Sequence, residues 1–284
     1  MLEDLAKEIR KEIMLTACCG NTGHLASSFS AVEIMTALYF GDILCYDKED
    51  PYWEDRDKVI ISKGHATLVL YSVLKHIGYI TQEQMETFCQ PGSEFGGEAK
   101  YGDIPGIEAT TGSLGHGLSF AVGIAMANKL DGRKSRVYVL LGDGECQEGS
   151  VWEAVLSAAH HRLDNLTVIL DRNQLQAMGD TEEIVGIDPM DKKWEDFGWH
   201  VTEVDGHDIE ALNDVFRADK DLQEERPRLI IANTIKGKGV SFMENVPIWH
   251  YRMPNEAEME IVKRELEISE EEIEHAKYIF ERSI

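Results

Sequence analysis

Cations are scarce in this sequence. Its 284 residues carry 28 Lys and Arg against 52 Asp and Glu, a formal charge of −24. Nucleic acid and anionic membrane surfaces both need a basic face, so that balance argues against either partner. It also sets a local condition: an anionic cofactor has to be met by a metal ion or by a lysine placed beside it. Cysteine is scarce too. The five present, Cys18, Cys19, Cys45, Cys89 and Cys146, form no CxxC pair, which favours buried thiols in a reducing cytoplasm over disulfides or a zinc site. No stretch reaches the roughly 18 uninterrupted apolar residues of a membrane span. The opening residues, MLEDLAKEIRKEIM, are acidic and amphipathic, without a basic-then-apolar leader. Repeats, low-complexity segments and interdomain linkers are missing as well. A cytoplasmic, soluble chain is expected, one domain over residues 1–284 with an acidic helical tail.

What is present alternates strand and helix. Leu2, Leu5, Ile9 and Ile13 recur at helical spacing, and the helix they predict stops near Cys19-Gly20. Ser28 or Ser30 could cap the next helix, with Glu33 three residues beyond Ser30 as in a capping box. Short apolar runs at Val59–Ser62, Val137–Leu141, Leu166–Leu170, Trp199–Val204 and Leu229–Thr234 read as strands. A small-residue helix over Leu118–Leu130 is expected to be buried. The tail over Asn255–Arg282 reads as two acidic helices, with capping boxes Asn255…Glu258 and Ser269…Glu272. Such alternation predicts one open, largely parallel sheet covered on both faces.

The stretch that organises the rest is Val137–Gln176. Its first apolar run stops at Gly142-Asp143-Gly144 and its second at Asp171-Arg172-Asn173. In parallel α/β sheets ligands bind at the carboxyl ends of strands, which is where Asp143 and Asn173 fall. A carboxylate and an amide oxygen delivered to that rim suit a hard divalent cation, which can in turn hold a diphosphate. Glycines flanking Asp143 let backbone approach a ligand closely. Two competing motifs fail: Gly144–Ser150 spells GxxxxGS without the P-loop lysine, and Gly142–Gly149 is not GxGxxG. The long aperiodic loop Pro91–Gly112, followed by Thr110–Gly117 (TTGSLGHG), is of a kind that is either functional or disordered. Histidines sit in glycine-bearing turns at Gly23-His24, Gly64-His65 and Gly115-His116-Gly117, and together with Asp143 and Asn173 they suggest a polar cleft.

Gly142-Asp143-Gly144…Asn173 resembles the metal-and-diphosphate motif of thiamine diphosphate enzymes. The words GDGECQEGSVWEA and KGH resemble transketolase in particular. The resemblance covers about His24 to His250. It implies the thiamin diphosphate-binding fold, a three-layer α/β/α sandwich with a mostly parallel sheet. Asp143, Asn173 and the backbone carbonyl of Leu175 would be Mg²⁺ ligands. Gly144 and Asn173 would contact the diphosphate, and His65 with Gly112-Ser113-Leu114 would contact the cofactor elsewhere. Lys236 and His250 would lie near diphosphate and substrate. His24 and Ser27 would touch substrate, with His24, His65 and His250 handling hydroxyl and carbonyl protons. Glu148 matches an acid near a subunit interface. The implied reaction moves a two-carbon ketol unit from a ketose, expected to be a phosphate, to an aldose.

Two features depart from the family. Where it reads Gly-His-Pro, this chain has Gly96-Gly97-Glu98-Ala99, so a substrate-facing donor becomes the acceptor Glu98 at neutral pH. After His250 the family's glycine is replaced by Tyr251. The glutamate that activates the cofactor's pyrimidine belongs to a second half with no counterpart in this sequence. The expectation is therefore the N-terminal, diphosphate-binding subunit of a split transketolase, joined in an α2β2 heterotetramer to a separate C-terminal subunit. Two alternatives are a subunit of another split enzyme of the 2-oxo acid dehydrogenase type and a non-catalytic cofactor-binding homologue.

Overall fold

Five aliphatic runs form the sheet: β1 (Lys58–Ile61), β2 (Val137–Gly142), β3 (Leu166–Arg172), β4 (His200–Asp205) and β5 (Arg228–Asn233). A computed structural model describes residues 1–102 and 104–283. Asp103, in the glycine-rich loop, and Ile284, the last residue of the expected domain, lie outside the described residues. All neighbouring strands pair in parallel, in the order β1-β2-β3-β5-β4. The mostly parallel α/β architecture expected from the sequence is the one observed.

Burial on both faces explains the composition of these strands. Along β2, Tyr138 and Leu140 enter one core while Val137, Val139 and Leu141 enter the other, the period of two that a pleated strand imposes. With neither face in water, each run is apolar almost throughout. The first core is closed by α1 (Leu2–Gly20), α2 (Leu25–Phe29), α3 (Val32–Phe40) and α4 (Thr67–His76) on that face. The second is closed by α5 (Gly117–Leu130), α6 (Gly149–His160) and α7 (Met190–Asp196). After β4 the chain reverses direction across the sheet, so α8 (Ile209–Asp221) returns to the first face.

The terminal helices α9 (Glu256–Glu265) and α10 (Glu270–Ser283) also pack on the first core, through Met259, Val262, Ile273 and Ala276. Both expected capping boxes form. Asn255 Oδ1 accepts the Glu258 N–H at 2.9 Å while Glu258 accepts the Asn255 N–H at 2.8 Å; Ser269 and Glu272 do the same. Asn255→Ala should lower stability by about 1 kcal/mol, the usual worth of such a cap. A urea titration would show it as a lower midpoint at unchanged slope.

Three expectations need correction. No box forms at Ser30 and Glu33. The cap of α3 is Ala31, with no side-chain bond. Ser30 instead donates to Asp171 at 2.6 Å, and Glu33 accepts from Arg10 at 2.6 and 2.8 Å. Helix α5 is not buried all round: Leu118, Ala121, Val122 and Ala125 face the core, but Gly123 and Ala127 are exposed and Phe120 is 51% exposed. The loop after β3 contains a helical turn at Thr181–Ile184, started by the Asp180 side chain accepting from Glu182 and Glu183.

Candidate active site

The carboxyl ends of β1, β2, β3 and β5 open onto a cavity of about 320 Å³. Asp143 follows β2 directly, and Asn173 follows β3; because Gly142 pairs with Asp171, the two side chains leave adjacent strand tips at nearly the same height. Asp143 is only 4% exposed. Its carboxylate accepts the N–H of Gly144 at 2.7 Å and of Gln174 at 2.5 Å. Burial, reinforced by the charge of Asp171, pushes its pKa up to about 6. Asn173 Oδ1 accepts the Leu175 N–H at 3.1 Å, and Gln174 between them takes the left-handed conformation, φ 61°, that turns the chain back over the site.

Lys236, three residues past β5, reaches into the same space. Its ammonium donates to the Leu175 carbonyl at 2.9 Å and lies 3.1 Å from His250 Nδ1. Burial first, then the neighbouring Lys63, lower its pKa to about 8. The oxygen donors expected to hold a cation thus converge, and the Leu175 carbonyl is already in contact with a positive group. Among the described residues no three His, Cys, Asp or Glu side chains are arranged to hold a metal by themselves. One carboxylate, one amide oxygen and one carbonyl fit a hard cation that draws its remaining ligands from diphosphate and water. Two further observations fit an anion beside it. Gln176 Nε2 is buried without a hydrogen-bond partner and lines the cavity. A Cβ on Gly144 would sit 2.9 to 3.1 Å from that side chain, so only glycine keeps the backbone there open.

His24, His65 and His250 form a triangle, with ring centroids 5.3, 5.1 and 5.1 Å apart. Burial is the first cause holding all three neutral, with the nearby lysines second. His24 titrates at about 4, His250 at about 3, and His65 well below its ordinary value. Neutral imidazoles offer one donor and one acceptor each, which suits hydroxyl and carbonyl groups. Ser27, Gly112, Leu114 and Glu98 also face the cavity. The Glu98 carboxylate lies over the Cα of Gly112, where an added Cβ would come within 2.1 Å of it. Ser113 is exposed and stands off the wall, as is His116. Glu148 begins α6 outside the cavity, its side chain packed against Gly115.

Sequence reasoning missed three buried polar residues of the wall: Lys63, Glu145 and Gln176. Lys63 is 1% exposed. It bonds to Asp171 and to the Ser27 carbonyl at 2.9 Å, and Asp171, fully buried, is held ionised chiefly by that lysine against its own burial. Glu145 accepts from Ser62 at 2.5 Å, from the Gly115 N–H at 2.9 Å and from the Gly142 N–H at 3.1 Å, tying the Gly112–Gly115 turn to the sheet. The available signal was a charged residue abutting an apolar run on either side of KGH and GDG.

Comparison with known proteins gives concordant results. Residues 3–280 match the family described as transketolase, thiamine diphosphate binding domain. One of the two subunits of an apulose-4-phosphate transketolase from Actinobacillus succinogenes is 44% identical over 266 residues, covering 93% of this chain and 95% of that protein. A 6-deoxy-6-sulfo-D-fructose transketolase subunit from Clostridium sp. (strain MSTE9) is 39% identical, covering 86% and 88%. Among solved structures, transketolase from Campylobacter jejuni superposes with a TM-score of 0.88 at 28% identity over 99% of this chain. The chain spans 46% of that solved chain.

Proposed function

The chain belongs to the transketolase thiamine diphosphate-binding family, and on that premise we propose that it is the diphosphate-binding subunit of a two-component transketolase. The reaction is transfer of a two-carbon ketol unit from a ketose to an aldose. The observation that carries the reading is the convergence of Asp143, Asn173 and the Leu175 carbonyl on the cavity that also holds three neutral histidines. In this reading Asp143, Asn173 and Leu175 hold Mg²⁺. Gly144, the Gln176 amide and Lys236 meet the diphosphate, and His65 with Gly112 and Leu114 contacts the cofactor beyond it. Ser113, off the wall, would contribute through its backbone only. Thiamine diphosphate, when bound, supplies a carbon nucleophile and an electron sink.

This chain's own residues orient the substrate and move protons. His24, His65 and His250, each neutral, donate to or accept from carbonyl and hydroxyl oxygens. Glu98 accepts from a substrate hydroxyl where the family places a histidine, so specificity should depart from the family's usual sugar phosphates. Relatives whose names specify apulose 4-phosphate and 6-deoxy-6-sulfo-D-fructose show how varied the substrates of similar proteins are. A second chain would supply the pyrimidine-activating glutamate in an α2β2 assembly. Exposed Phe120, Leu156, Ile184 and Val185 are apolar surface that such a chain could cover. Among the described residues no helix is long and apolar enough to cross a membrane. The five free cysteines support a reducing, cytoplasmic location for the assembly.

Ketol transfer assayed with Mg²⁺, thiamine diphosphate and a panel of ketose donors should appear only when the candidate partner chain is added. Equal turnover by this chain alone would sink the two-component model.

A further inference from the structure

His24 is enclosed by rings on more sides than the cavity accounts for. His65 and His250 flank it within the site, and Tyr251 covers it with a centroid separation of 4.6 Å and a tilt of 39°. Tyr251 is 62% exposed and is not part of the cavity wall, so it stands on the solvent side of His24. Its phenol oxygen is 2.8 Å from Thr22 Oγ1, in the turn that leads into His24.

An exposed tyrosine ordinarily samples several rotamers. This one is held from both directions along the chain. It closes the short helical turn Pro247–Tyr251, whose Trp249 is buried and packs on Phe242 at 4.8 Å. On the other side the Arg252 guanidinium stacks on Trp249 at 4.2 Å and bonds both carboxylate oxygens of Glu258 at 2.8 Å. His250, immediately before it, is fixed to Lys236. The hydroxyl bond to Thr22 then locks the ring plane across His24.

We propose that Tyr251 is a positioning residue: it closes the solvent side of His24, fixes the imidazole orientation and keeps water from it, so that one nitrogen meets the oxygen of a small polyhydroxy ketone or aldehyde. The expected catalytic effect rests on the ketol-transfer reading; the enclosure of the ring does not. The groups facing His24 are Lys236, His65, His250 and Tyr251. Burial is the main cause of its low pKa, with Lys236 second; removing the ring that buries it raises the pKa toward that of an exposed histidine.

The test compares Tyr251→Ala, Tyr251→Phe and Thr22→Val with the wild type, with a His24→Gln spectrum assigning the His24 resonance. In the chain alone, proton–carbon spectra of the histidine rings follow His24 through a pH titration. Tyr251→Ala should lose the ring-current shift at His24 and move its midpoint upward; Tyr251→Phe and Thr22→Val should keep the shift. In the complex with its partner, Tyr251→Ala should lower kcat/KM on the order of tenfold to a hundredfold, the scale of a misplaced catalytic group, with its acid limb displaced upward, and Tyr251→Phe should restore most of it. A His24 resonance and midpoint unchanged in Tyr251→Ala would overturn the proposal. Altered resonances in a wild-type complex that transfers no ketol unit would uphold the enclosure and overturn the proposed function instead.

Discussion

Replacing Asp143 by alanine is expected to erase the stabilisation that Mg²⁺ and thiamine diphosphate together confer on the protein. A ligand at 100 times its Kd stabilises a folded state by about 2.7 kcal/mol, a shift that thermal denaturation resolves easily. Asp143 is the one carboxylate in the proposed donor set; Asn173 and the Leu175 carbonyl are neutral. Mg²⁺ sheds water reluctantly, and two neutral oxygens give it little reason to do so. Losing a mere neighbour of a metal ligand typically weakens binding about 10- to 100-fold, so loss of this carboxylate should exceed the upper figure. The variant without ligands should be little destabilised. Asp143 is buried, with Asp171 repelling it, and removing that charge offsets the lost bonds from Gly144 and Gln174. Calorimetric titration that finds wild-type, Mg²⁺-dependent cofactor affinity in Asp143→Ala would discard the site.

The features read correctly from sequence are those in which cause and consequence lie close together in the chain. Apolar runs cut by Gly-Asp-Gly and Asp-Arg-Asn had to be strands with polar groups at their carboxyl ends, and the parallel pairing of Gly142 with Asp171 follows. Asn255 and Ser269 capped their helices because the partner in each case is three residues away. Ser30 misled for the opposite reason. Its hydroxyl is taken by Asp171, 141 residues distant, and Glu33 is taken by Arg10 and His207. Neither demand has a local signature. The same holds for Lys63 and Glu145, whose burial only the assembled sheet edge creates. In α5 the small residues implied close packing but not against what; Gly123 and Ala127 turned outward while Ala121 and Ala125 met the sheet.

Asp171→Ala should cost the most stability of any single change near the site. It would strand the Lys63 ammonium, 1% exposed, without its carboxylate, and breaking a buried pair from one side costs about 3–5 kcal/mol. Ser30 and Thr234 would each lose an acceptor, adding about 1 kcal/mol apiece. Against a total stability of roughly 5–15 kcal/mol, that is enough to unfold much of the population at physiological temperature. The double variant Lys63→Met/Asp171→Asn removes both charges while retaining an amide oxygen for the two hydroxyls, and should recover a large part of the loss. Urea titrations of the single and double variants measure the coupling directly; equal losses in Asp171→Asn and the double variant would mean that no stranded charge is involved. The position of the pair extends the consequence to the site. Lys63 lies two residues before His65, Ser27 and Ser30 lie on and just after the helix that follows His24, and Thr234 lies two residues before Lys236. One buried ion pair therefore joins the four segments that carry the cavity's cationic and imidazole groups. The double variant, stable but without the charges that fix those segments, should fold and bind the cofactor more weakly than the wild type.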